Sequence, residues 1–350
     1  MKLKLAIIND THFGARNDSQ LFLDQSFKFF EEQFFPYCKE NNITTVLHLG
    51  DFLDRRKFVN FNTLSQVRTR FIDKINEYGI QVHCILGNHD TYYRNTNRIN
   101  SIRELFSDTD NFHLYEDPVE LEFGGLCIGM VPWINKNNTD QCIDFIKNST
   151  CPIMAGHFEL DGYEVLRGVQ YDGGMDDKLF SRCEMVLSGH FHIKHSKNNV
   201  HYLGTQYQLT FNDLNVKKGF HVLDTETRDL RFVENPVNVF HAITYEEDGD
   251  MLERDYSKYE NSYVKVYVFE KNNPYMFDKF LDKLYDVKVA NLTVIEDMGV
   301  DHTEEDSLDI SKDTVSIIND EVDTMTNVPN DQRSRIKTLM RELYMESLSL

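Results

Sequence analysis

Thr45-Val46-Leu47-His48-Leu49-Gly50-Asp51-Phe52-Leu53-Asp54 is a short apolar run that stops at a glycine followed by a carboxylate. Aliphatic and β-branched residues bounded by glycine read as a buried strand. A polar residue just past such a strand projects into the crevice at the sheet's edge, where open α/β folds hold their chemistry. The same pattern recurs on both sides of this stretch. Residues 3–9 lead into Asp10-Thr11-His12, 81–86 into Gly87-Asn88-His89-Asp90, 152–155 into Gly156-His157, and 184–187 into Gly189-His190-Phe191-His192. One such group is a weak signal, but five in order, each after an apolar run, point to an α/β fold with its site at one edge of the sheets.

Together these groups supply seven metal donors: Asp10, His12, Asp51, Asn88, His157, His190 and His192. Two divalent ions in one site sit about 3.5–4 Å apart and need a bridging ligand. Asp51, with two oxygens and a charge that offsets cation repulsion, is assigned the bridge. Asp10, His12 and His192 complete one ion's shell, and Asn88, His157 and His190 the other's. Mixed imidazole, carboxylate and amide ligation suits Mn²⁺, Fe²⁺ or Zn²⁺ better than Ca²⁺ or Mg²⁺. In an extended segment residues i and i+2 point the same way, so His190 and His192 are expected to face the ions with Phe191 behind them. Such an ion pair lowers the pKa of a bound water and aims it at phosphorus, which makes hydrolysis of a phosphate ester the reaction class. His89, beside a donor and not counted as one, is placed to protonate the departing alkoxide, with Asp90 to orient and charge it. Arg16, Arg55, Arg56, Lys57 and Arg94 lie beside the motifs and can hold a polyanion. His48, His83, His113, His195, His201 and His221 read as structural.

The chain carries a net charge of −20, which works against unaided binding to nucleic-acid phosphates. Much of the excess is local: residues 296–323 hold acids throughout against the single Lys312, a composition that reads as a solvated linker. Six cysteines without paired C-x-x-C spacing read as reduced core residues of a cytosolic protein. No apolar run reaches membrane-spanning length, and the expected location is the cytoplasm. Residues 19–41 and 62–78 are the clearest helices. The phenylalanines of the first, Phe22, Phe27, Phe30 and Phe34, recur at helical spacing and predict a face buried on the sheet. From residue 120 onward strands become short and frequent. The expected architecture is a sandwich of two sheets flanked by helices, spanning residues 1–235, then a small α+β unit over 236–296. An acidic linker (297–328) and an amphipathic helix (329–350) with Ile336, Leu339, Met340 and Leu343 on one side complete the chain.

The five motifs resemble those of the calcineurin-like metallophosphoesterases. Asp54-Arg55-Arg56 lacks the glycine that protein phosphatases of the class carry there, and Asp90 stands where they have Glu. Gly189-His-Phe-His192, Tyr202-Leu-Gly-Thr205 and Asp224-Thr-Glu226 are similar to SbcD-type nuclease subunits. Val131-Pro-Trp133, Gly156-His-Phe-Glu-Leu160 and the segment 203–210 resemble the phage forms of that subunit. The resemblance implies a four-layer α/β/β/α sandwich and a Mn²⁺-dependent nuclease that degrades duplex DNA from 3′ ends and cuts single strands. It implies a homodimer whose C-terminal helix docks on an SbcC-type coiled-coil ATPase, acting in recombination and repair, in the host cytoplasm if the chain is phage-encoded. It also puts Asp54 where a substrate-orienting histidine is usual, so Asp54 joins Arg55, Arg16 and Arg94 as expected substrate-binding residues. A phosphatase or phosphodiesterase acting on a small molecule or phosphoprotein is the competing reading, since the fold alone serves both.

Overall fold

The computed structural model describes residues 3–248 and 250–296, together with 321, 322, 325, 329, 332, 333, 336, 337, 339 and 340. In chain order its principal strands are β1 (Lys4–Ile8), β2 (Thr45–His48), β3 (Gln81–Ile85), β4 (Phe112–Tyr115), β5 (Val119–Phe123), β6 (Leu126–Val131), β7 (Ile153–Gly156), β8 (Met185–Ser188), β9 (His195–Lys197), β10 (Val200–Tyr202), β11 (Lys218–Asp224), β12 (Leu230–Asn235), β13 (Phe240–Thr244), β14 (Tyr263–Val268) and β15 (Asn291–Glu296). One six-stranded sheet has the order β12-β11-β1-β2-β3-β4, and a second has β9-β10-β8-β7-β6-β5. In the first, β1 to β4 run parallel and β11 joins β1 antiparallel. In the second, β10, β8, β7 and β6 run parallel between antiparallel edge strands.

Side chains alternate across these strands, and that alternation builds the layers. Leu5, Ile7, Leu47 and Ile85 of the first sheet meet Ile128, Met130, Ile153, Ala155 and Leu187 of the second in a core between the sheets. Ala6, Ile8, Val46, Val82 and Cys84, at the alternate positions, are fully buried on the other face. Two helices cover that face through phenylalanines. Helix α1 runs through Gln20–Phe29, a π turn at Phe30–Phe34 and then Phe35–Glu40; helix α2 runs through Phe61–Val67, a π turn at Arg68–Ile72 and Asp73–Glu77. Rings of Phe13 and Phe27 stack at 5.0 Å, and Phe71 of α2 meets Phe30 of α1 at 5.1 Å. The outer face of the second sheet takes α3 (Thr139–Asn148), whose Cys142 and Ile146 pack with Met154, Val186 and Tyr202. The layers are therefore α/β/β/α, as the motifs imply.

A π turn adds one residue to the helical register. In α1 it lets Phe34, Phe35 and Cys38 share the buried face with Phe22, Ser26 and Phe30, which a straight 3.6-residue repeat does not allow. Three further differences from the sequence reading stand out. Short hairpins form at Thr91–Tyr93 with Thr96–Asn100 and at Glu164–Leu166 with Val169–Gln170. The strand β13 precedes the strand-helix-strand pattern expected after Pro236. Cys127 and Cys151 form a disulfide, Cα to Cα 4.9 Å, where six reduced thiols were expected; Cys127 on β6 and Cys151 just before β7 are brought together by the pairing of those two strands.

Residues 3–209 and 217–236 fall in one compact unit, and 210–216 with the described residues from Val237 to Glu296 in a second. In the second, β13, β14 and β15 are all parallel, and α4 (Pro274–Asp286) packs Phe277, Phe280 and Leu284 on Val264, Val266 and Val268. Most of the acidic run and most of 329–350, Leu343 included, lie outside the described residues. Within 329–350 residues 332, 333, 336, 337, 339 and 340 are helical, with Leu339 and Met340 exposed.

Candidate metal centre

Carboxyl ends of parallel strands from both sheets converge on one place. β1 delivers Asp10 and His12, β2 Asp51, β3 Asn88, β7 His157, and β8 His190 and His192. All seven expected donors meet there, in two groups. His12 Nε2 lies 3.2 Å from His192 Nε2 and 3.9 Å from Asp10 Oδ1, and His192 Nε2 is 3.7 Å from the same oxygen. In the second group Asn88 Oδ1 is 2.9 Å from His157 Nε2 and 3.0 Å from His190 Nδ1. Asp51 Oδ2 stands between them, 3.6 Å from His12 Nε2 and 3.4 Å from His157 Nε2. Asp10, His12, Asp51 and His190 all have positive φ, at 49°, 42°, 55° and 81°. Non-glycine residues pay for that conformation in backbone strain, and such residues cluster at functional sites. Two glycines allow the close approach: a Cβ at Gly87 would stand 2.2 Å from Asp51 Oδ1, and one at Gly189 2.8 Å from the Leu49 carbonyl oxygen.

The left-handed backbone of His190 corrects one expectation. Its segment is bent and not extended, while the two imidazoles join the two different groups of donors assigned to them. Phe191 is nevertheless buried behind them, stacked on Tyr202 at 4.6 Å.

A family model for the calcineurin-like phosphoesterases matches residues 3–194, which is more than half of the chain and includes every donor. The chain belongs to the calcineurin-like phosphoesterases. Two characterised proteins are similar over nearly their whole length. Exonuclease subunit 1 of Enterobacteria phage T4 is 28% identical over 99% of both chains. The SbcD component of the SbcCD nuclease of Staphylococcus epidermidis is 25% identical over 97% of this chain and 98% of its own. A solved archaeal phosphodiesterase is 14% identical, covers 67% of this chain and all of its own, and superposes with a TM-score of only 0.33.

For a phosphoesterase of this family the donor set fits two divalent cations. Asp10, His12 and His192 form one cluster of ligand atoms within 4.8 Å of one another, Asp51, His157 and His190 a second, and His12, Asp51 and His89 an overlapping third. Bound cations supply Lewis acidity and a water of lowered pKa. The chain's own contribution is to place a hydrogen bond or a carboxylate beside the far nitrogen of three of the imidazoles. His157 Nδ1 donates to the Leu49 carbonyl at 2.8 Å, His12 Nδ1 lies 3.3 Å from Asp54 Oδ1, and His190 Nε2 lies 3.4 Å from Glu159 Oε1. Glu159 is the residue that sequence reasoning missed. It follows the donor His157 by two positions, and only the fold shows that it serves His190.

Three of the expected roles change. Asp90 does not orient His89. Its buried carboxylate accepts the backbone N–H groups of Gly87 and Asp51 at Oδ2 (2.9 and 2.8 Å) and of Phe52 at Oδ1 (2.9 Å), tying the β2 and β3 loops together. His89 Nδ1 instead donates to the Asp54 carbonyl at 2.5 Å. Asp54, expected on the substrate, spends its carboxylate on His12. Arg55 is held by Asp18 at 3.2 Å and by Asn17, so it too is engaged within the protein. Arg16 lies in a left-handed turn at Ala15–Asp18, and Arg94 at the tip of the Thr91–Asn100 hairpin, where its charge acts on Arg56; neither belongs to the two donor groups.

Without cations the carboxylates draw protons onto two imidazoles. Burial pushes His12 down, but Asp54, Asp51 and Asp10 outweigh it and hold His12 up at about 9. Burial opposes charge on His157 as well, and Asp51 and Asp10 carry it to about 10. Burial keeps His190 neutral, lowered to about 4. Of the histidines read as structural, His48 sits on Thr11 Oγ1 at 3.1 Å, His83 on the Tyr115 hydroxyl, and His195 Nε2 accepts from the Glu164 N–H.

Proposed function

We propose that this phosphoesterase is a DNA nuclease, the Mn²⁺-dependent subunit of a recombination and repair complex, acting from 3′ ends of duplex DNA and within single strands. The observation that carries the reading is the complete donor set, gathered around Asp51, in a chain that two nuclease subunits match from end to end. His89 acts as general acid through Nε2, with Asp54 fixing its tautomer from the backbone. The acidic surface is explained if a coiled-coil ATPase of the SbcC kind supplies most of the phosphate contacts and takes the 329–350 helix as its dock. Two copies of the chain pair near the start of α2, where Phe58 and Phe61 are 64% and 85% exposed. Val67, Phe71 and Ile75 of the same helix are fully buried in their own subunit.

The test uses purified protein with Mn²⁺, a 3′-labelled duplex, circular single-stranded DNA, and nitrophenyl diester and monoester substrates. Release of 3′ nucleotides, linearisation of the circle and preference for the diester are expected. Hydrolysis of the monoester with both DNAs left intact would replace the nuclease by a phosphatase.

A further inference from the structure

Of the twin arginines after Asp54, only one is paired off. Arg56 lies with its guanidinium 5.4 Å from the centre of the Trp133 ring. Its Nη1 is buried and has no hydrogen-bond partner among the described residues. Trp133, the single tryptophan of the chain, is 8% exposed. It is fixed at both ends: its backbone N–H donates to the Leu86 carbonyl at 2.7 Å, one residue before the β3 loop, and its Nε1 donates to Glu159 Oε1 at 3.3 Å. The same Glu159 oxygen holds His190. Arg56 is thus carried on a platform that is locked to the metal centre.

A buried guanidinium donor with no acceptor is costly, and it persists where a ligand completes it. The acids whose charges act on Arg56 are Asp51, Asp90 and Glu159, with Arg94 acting against them. Each acid is already engaged: Asp90 by four backbone N–H groups, Asp51 by the donors around it, Glu159 by His190, Trp133 and Tyr171. None of the described residues supplies the missing acceptor, and a ligand beside the metal centre would. A planar guanidinium fork matches phosphate oxygens, and stacking on an indole holds its plane fixed.

We propose that Arg56, seated on Trp133, is the phosphate anchor of this site and donates through Nη1 to a non-bridging oxygen of the bound strand. The identity of that phosphate, a polynucleotide's, rests on the nuclease reading above.

The experiment compares wild type, Arg56→Met, Arg56→Lys and Trp133→Phe, each loaded with Mn²⁺. Methionine keeps an apolar stem over the ring and removes only the charged fork. Arg56→Met should raise KM for a short oligonucleotide about 10- to 100-fold, the worth of one charge-assisted hydrogen bond, with a much smaller change in kcat. The slope of log affinity against log salt should fall by about one. Arg56→Lys should recover part of the loss, and Trp133→Phe should show a milder version of it. Unchanged KM and salt slope in Arg56→Met would reduce Arg56 to a packing residue, and loss of bound Mn²⁺ would make it a support of the metal centre; either overturns the proposal. A wild type that holds its Mn²⁺ and hydrolyses the nitrophenyl monoester but cuts no oligonucleotide overturns the nuclease reading instead. In that case inhibition by inorganic phosphate decides the role of Arg56: a tenfold weaker inhibition of Arg56→Met sustains the anchor, and equal inhibition removes it.

Discussion

Asp51 faces both groups of donors, and Asp90 holds the loop that carries it. Asp51→Asn should abolish divalent-dependent hydrolysis with the far-ultraviolet circular dichroism unchanged, because the donors lie past the strand ends and outside the core. Asp90→Ala should behave differently. It strands backbone N–H groups in the interior, at about 1–3 kcal/mol each, so the unfolding midpoint and metal affinity should fall together. His89→Ala should leave both intact and slow DNA cleavage by about 10²–10⁴-fold, while a nitrophenyl diester, whose leaving group needs no proton, is slowed far less. Metal binding should also tighten as pH rises from 6 to 9. His12 and His157, held up at about 9 and about 10, must lose their protons before they can ligate. Calorimetry at pH 7 in buffers of different ionisation enthalpy should show release of about two protons when both sites fill. The donors themselves were legible in the sequence because their residue types and positions after apolar runs already state their chemistry. The partners of Asp54, Asp90 and Glu159 were not, because each is brought by another loop: Asp90 accepts from Asp51, thirty-nine residues away in the chain.

Strands of the two sheets were legible element by element, since fully buried parallel strands read as unbroken apolar runs. The hairpins beside the site were not; their strands are three to five residues long or shorter and carry no alternation. Nor were the π turns, because a single added residue leaves no mark in composition and shifts only the phase of the apolar pattern. Phe71, within the second of these turns, lies among the rings of Phe13, Phe30, Phe35 and Phe52. Phe71→Ala should therefore cost about 3–5 kcal/mol in denaturant unfolding. Phe61→Ser, on the exposed start of the same helix, should change stability by about 0.5 kcal/mol or less. If two copies pair there, light scattering should show the Phe61→Ser protein as a monomer at concentrations where wild type is a dimer; a wild type that is monomeric both alone and with an SbcC-type ATPase removes that pairing.

At the scale of the whole molecule, a charge of −20 and the proposed polynucleotide substrate pull in opposite directions. A partner that grips the DNA would resolve the conflict, and removal of residues 329–350 is the direct check. The shortened chain should cut short oligonucleotides as before, yet neither co-purify with an SbcC-type ATPase nor respond to ATP; undiminished complex formation would place the interface elsewhere. The two groups of donors have one more property in common. Each draws on both sheets, β1 with β8 in one and β2 and β3 with β7 and β8 in the other. Cations seated there would act as rivets between the two halves of the sandwich, at an edge otherwise held by hydrophobic contact and a few hydrogen bonds such as that from His157 Nδ1 to the Leu49 carbonyl. Since the unfolded chain offers no such seat, a free ion concentration of a hundred times Kd adds about 2.7 kcal/mol per site to stability. Melting curves with chelator and with Mn²⁺ should separate accordingly. A cell that runs short of the ion then loses folded protein to its proteases as well as catalytic turnover, so that metal supply sets how much of the enzyme exists and not only how fast it works.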